Sequence, residues 1–250
     1  MDTSNLIDTH QTEVKQKEQT EDIYAPDISR ESQIFDNKIK INIRLDLISV
    51  PIFAFPLCVG IVCLGLFIME GRLSGYLPTI SESGTEYQNK ALFASMMACG
   101  SVTTFFIIFM YYNYVKLNYN ISKLLNIVFI LIIIISCIGV GGLGFCPINE
   151  VYKYHFLFAF SGFTGILIYE SLCYIVCRKD TILSMIRLIL ISTAAVGYLL
   201  FGFTYTVFEP NMDVTVAAIG EWILLFCLQF VFVTYGQEMK NMKIHINLSV

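Results

Sequence analysis

The sequence predicts an all-α polytopic membrane protein: six transmembrane helices, with the N- and C-termini cytosolic. Three observations lead there. First, 56% of the 250 residues are hydrophobic and only 14% are charged, against about 25% charged in a typical soluble domain. Second, the apolar residues fall in blocks of roughly twenty, the length a helix needs to cross about 30 Å of hydrocarbon. Third, Lys and Arg divide unequally between alternate ends of those blocks, as the positive-inside rule requires. In lipid, a helix satisfies every backbone N–H and C=O within itself, which is why the blocks read as helices.

Residues 1–45 come first. Residues 1–36 carry nine Asp/Glu and three Lys/Arg, with few large apolar side chains. Such a stretch buries too little surface to fold, so a disordered acidic cytosolic tail is expected. It ends in the basic run NKIKINIR, placed to touch an anionic leaflet. The first apolar run starts too late and is too long for a secretory signal peptide. The transmembrane domain, 46–236, then holds spans at about 47–69, 91–114, 124–145, 154–177, 182–207 and 214–235, and 237–250 form a short cytosolic tail. Lys38, Lys40, Arg44, Lys116, Lys123, Arg178, Lys179, Arg187, Lys240 and Lys243 lie on one side, and Arg72, Lys90 and Lys153 on the other. The loops after spans one, three and five are therefore expected to be lumenal. The sequons at Asn120 and Asn247 fall on the cytosolic side, away from glycosylation.

Between the first two spans lies a polar insert, GYLPTISESGTEYQNKALF, residues 75–93. Gly75, Pro78 and Gly84 are expected to stop a helix from continuing. Ser81 and Ser83 offer hydroxyls for a cap or turn, and Glu82 and Glu86 keep the loop in water. A compact lumenal loop folded over the bundle is predicted. In the third span, GVGGLG at 139–144 has the composition of a phosphate-binding loop but follows no strand. It reads as a stripe of small residues that lets a neighbouring helix approach.

No nucleotide-binding loop, nucleophile elbow or zinc-protease motif is present. No metal or other cofactor and no nucleic-acid partner is expected. Six of the eight Cys lie within spans, where Cys acts as a small hydrophobe. Cys177 borders the cytosol and is the candidate for palmitoylation. The informative residues are the ionisable ones at membrane depth, which are costly and face a bundle interior or cavity. His155, Glu170, Glu221 and the single Trp, Trp222, form the candidate polar cluster, read as helix-packing partners or as a lipid or partner site. A His with a nearby carboxylate can also do acid–base work on a lipid ester, but no nucleophile is evident from the sequence.

Three stretches in order carry a family resemblance. YLPTISESG, with Pro78, Ile80, Ser81 and Gly84, resembles the first-loop signature of the Frag/DRAM/Sfk family of six-span proteins. HFLFAFSGFTGILIYESL, from His155, resembles that family's fourth span. GEWILLFCLQFVFVTYGQEMKNMKIHI, residues 220–246, is similar to the last span and tail of the damage-regulated autophagy modulator (DRAM) branch. The chain departs from that branch in its long tail before the first span, and it lacks a proline pair expected after the loop signature. The resemblance implies a non-enzymatic protein of the lysosomal or endosomal membrane that modulates autophagy. Other branches imply a GPI-anchor lipid-remodelling factor of the Golgi or endoplasmic reticulum, or a plasma-membrane regulator of phosphoinositide kinase complexes. Expected partners are membrane lipids and an unidentified membrane or cytosolic protein, the latter through residues 1–45.

Overall fold

The computed structural model describes residues 38–73, 77–85, 89–178, 181–207, 214–241 and 243–249. The acidic tail up to residue 37, Gly75, Glu86 and Lys179 lie outside the described residues. In chain order the elements are β1 (Lys38–Arg44), α1 (Leu45–Met69), α2 (Ile80–Thr85), α3 (Lys90–Asn118), α4 (Lys123–Phe145), α5 (Tyr152–Val176), α6 (Ile182–Val207), α7 (Val214–Glu238), a 3-10 turn (Met239–Asn241) and β2 (Lys243–Ser249). All but α2 among the helices are long and apolar enough to cross a membrane, six in total. The spans agree with the sequence reading to within a few residues.

Two features differ from expectation. Residues 38–44 and 243–249 pair as a two-stranded sheet, where the sequence reading had placed tails. The chain divides into one unit of residues 1–43 with 244–250 and a second of residues 44–243. The second difference is α2. The insert stops the first span, but Ile80–Thr85 is itself helical, with Gly84 inside it.

The second unit is a ring of helices. In order around it, α1 packs on α3, α3 on α4, α4 on α5, α6 on α7, and α7 back on α1, while α5 and α6 meet only sparingly. The α4–α5 contact is set by the small-residue stripe. A methyl group at Gly139 would run into the backbone of Gly162, so the two helices approach backbone to backbone, as small residues permit in membranes. Most of the outward surface is apolar and exposed, including Ile127, Leu131, Ile135 and Ile138 on α4, a face suited to lipid. The ring leaves α2 lying against α1, α3 and α7. That placement builds the polar site.

Candidate functional site

α2 is only six residues long, too short to hold itself together by propagation. Its N-terminus must be supported from outside, because the first N–H groups of any helix have no partner within it. Thr79 is the cap. Its Oγ1 accepts from Glu82 N at 3.0 Å, and Glu82 Oε2 accepts from Thr79 N at 3.0 Å. This reciprocal pair is the capping box that Ser/Thr-x-x-Glu encodes. The first two helical N–H groups are met by a residue 140 positions away. Glu221, on α7, accepts from Ile80 N at 2.6 Å through Oε2, with Ser81 N further off at 3.5 Å. Its other oxygen accepts from Ser81 Oγ at 2.8 Å.

Ser81 Oγ also lies 3.1 Å from His155 Nε2, and His155 Nδ1 lies 2.6 Å from the Cys146 carbonyl oxygen. A carbonyl only accepts, so Nδ1 carries a hydrogen. The single hydroxyl hydrogen of Ser81 cannot serve both neighbours. The chain Glu221–Ser81–His155 is completely hydrogen-bonded in two arrangements, a carboxylate with an imidazolium or a carboxylic acid with a neutral imidazole. Both are neutral overall, and any other leaves a buried donor or acceptor unpaired, at about 1–3 kcal/mol. Ser81 is 4% exposed and His155 is fully buried.

The remaining signature residues seat the loop. Ile80 packs with Phe93 and Met96 against Val59, Met97, Trp222 and Leu225. Trp222 Nε1 donates to the Pro78 carbonyl at 3.3 Å, and its ring lies over Gly60. Asn89 Nδ2 donates to Ser83 O at 2.9 Å and Cys63 O at 3.3 Å, fixing the far end of the loop to α1. At Gly84 any Cβ would collide with the Phe93 ring. Gly84 therefore makes room for Phe93 and does not end the helix. Glu82 likewise belongs to the capping box, a role beyond keeping the loop in water.

The structure brings His155, Glu221 and Trp222 together and leaves Glu170 elsewhere. The four are two sites. Glu170 lies toward the other ends of the helices, fully buried, and neither carboxyl oxygen has a hydrogen-bond partner. Nearby, Arg187 of α6 donates through Nε to Thr234 Oγ1 at 3.0 Å and through Nη1 to the Tyr111 hydroxyl at 2.9 Å. Its Nη2 sits 3.1 Å from Glu238 Oε2, which also accepts from Tyr111. The guanidinium covers Tyr111 and Tyr235, whose rings stack 3.7 Å apart. Sequence reasoning had counted Arg187 as a loop-end charge. It is 2% exposed, and its position six residues into α6, after Ile182, was the signal for an interior role.

Cys177, the candidate for palmitoylation, is buried. Its side chain is 4% exposed, and burial pushes its thiol up from the ordinary range. Acylation needs an accessible thiolate, and this thiol offers neither access nor easy ionisation. Among the described residues all cysteines are free, and no group of three or more His, Cys, Asp or Glu is placed to hold a metal ion.

Six apolar helices around a latched loop helix define an integral, multi-pass membrane protein. Residues 45–242 match the family model described as the Frag1/DRAM/Sfk1/Cwh43P N-terminal domain, and the chain belongs to that family. No curated protein and no solved structure gives a match.

Proposed function

We propose that the protein is a non-enzymatic modulator of autophagy in the lysosomal or endosomal membrane, similar to the DRAM branch of its family. The observation that carries the non-enzymatic reading is Ser81. Its hydroxyl is buried and engaged on both sides, so the loop signature serves to hold α2 on the bundle. The seated loop then presents a fixed surface to membrane partners. In this reading α2 is lumenal and the N- and C-termini are cytosolic. The few cations on the α2 side support that orientation, since Arg72 pairs with Glu70 at 2.8 Å and Lys90 with Glu150 at 2.6 Å.

A second reading follows from the same atoms. A serine hydroxyl 3.1 Å from an imidazole is also the arrangement of a nucleophile with its base, as a lipid-remodelling enzyme would need. One experiment separates the two. The protein, tagged and at native level, is localised, and a knockout is complemented with wild type or Ser81→Ala. Lysosomal residence, with autophagic flux lost on knockout and restored by Ser81→Ala per molecule of protein, is the expected result. Golgi or endoplasmic-reticulum residence, with GPI-anchor lipid composition altered and not restored by Ser81→Ala, would overturn it.

A further inference from the structure

The ring of helices has one loose joint, between α5 and α6. α5 and α6 touch along a short line only: Phe156 stacks on Phe201 with centroids 5.9 Å apart, Phe160 meets Tyr198 edge-on at 5.7 Å, and Thr164 bonds Tyr198 across the joint at 2.5 Å. Outside that line the helices part. The gap is an open slot in two stretches, of about 660 and 440 Å³, which share Phe160 and Tyr198; α4 also walls the smaller one, through Ile132 and Ile135. Its walls are side chains such as Leu157, Ile168, Val196, Leu199 and Phe203.

We propose that this slot binds one acyl chain of a bilayer lipid, from the leaflet on the α2 side. Four observations lead there. Both walls are membrane-spanning helices, so the slot opens onto hydrocarbon. Its extent fits one leaflet: Leu157 to Ile168 spans eleven residue steps, about 16 Å at 1.5 Å per residue, close to half of a hydrocarbon core of about 30 Å. Its polar groups need nothing from a ligand, because Thr164 and Tyr198 bond each other and Ser161 donates to Phe158 O. A featureless methylene chain suits such a floor better than a molecule with its own hydroxyl. Finally, each stretch, at about 660 and 440 Å³, is well below the roughly 1,200 Å³ that ten residues of a second helix, about 10 Å across, displace.

The test uses the full-length protein in membranes containing phosphatidylcholine with a diazirine on its acyl chain. After photolysis and extraction, adducts are mapped by mass spectrometry. The expected result is adducts concentrated on residues 157–168 and 196–203. Leu199→Trp fills the slot from a position already 66% exposed, and it should cut those adducts at least fivefold. Adducts on the open α4 face away from the slot, at Ile127, Leu131, Ile134 and Ile138, should stay unchanged. Val196→Phe is the second slot-filling variant if the first accumulates poorly. Even labelling of the whole lipid-facing surface, or seam labelling unaffected by both variants, would overturn the proposal. So would stronger seam labelling by a photoreactive sterol, or cross-links between copies through the seam.

Discussion

Replacing Glu221 in two ways separates its shape from its charge. Glu221→Ala removes the acceptor for Ile80 N and leaves Ser81 N without its more distant one. Ser81 Oγ is not orphaned, because its hydrogen can turn to His155 Nε2. Two buried helix-end donors at about 1–3 kcal/mol each give a loss of about 2–6 kcal/mol. At about 2–4 °C per kcal/mol for a chain of this size, the thermal midpoint should fall by roughly 4–24 °C. Glu221→Gln behaves differently. The carboxamide oxygen accepts from Ile80 N, its nitrogen donates to Ser81 Oγ, Ser81 donates to His155 Nε2, and His155 donates to Cys146 O. That is the neutral-imidazole arrangement with an amide in place of the acid, and it leaves one amide hydrogen over, at about 1 kcal/mol. The assay is thermal unfolding of the purified protein in mild detergent, with cellular abundance beside it. Gln as damaging as Ala would refute the neutral arrangement. Both variants unfolding with wild type would refute the latch.

Other outcomes follow from the same structure. Thr79→Ala and Glu82→Ala should each destabilise by about 1 kcal/mol through the capping box, and the double variant by less than the sum; the same unfolding assay reads both. Arg187→Ala should cost about 3–5 kcal/mol by leaving Glu238 without its cation, with only the Tyr111 hydroxyl to meet it, and adding Glu238→Ala should recover part of that loss in a double-mutant cycle. Gly139→Leu forces α4 from α5 and should lower abundance sharply on a blot, while Ile138→Leu, on the exposed face, should not. Cys177 should show no acylation by acyl–biotin exchange, and Cys177→Ser should leave the signal of the whole protein unchanged.

The sequence by itself determined the class of protein and the placement of its spans. Twenty-residue apolar runs are a local property, and in lipid they have one helical outcome. The family resemblance pointed to Pro78, Ile80, Ser81 and Gly84 in the loop, and not to Thr79 or Asn89. Thr79-x-x-Glu82 is a readable capping box, passed over because Pro78 and Gly84 suggested an irregular turn. The alternation in KIKINIR and KIHINLS is a strand signal too, but a lone strand has no meaning until its partner, about 200 residues on, is known.

What only the tertiary structure decided was which polar groups meet. Glu221, Ser81 and His155 come from three elements, and their bond pattern depends on where the ring of helices delivers α2. Glu170 and Glu221 look alike in sequence, each a single carboxyl within an apolar helix. One is engaged by a loop helix and the other lies unpaired near Arg187, because α5 and α7 present them at opposite ends of the bundle. Helix period gives the face on which a residue sits, and packing gives its neighbours.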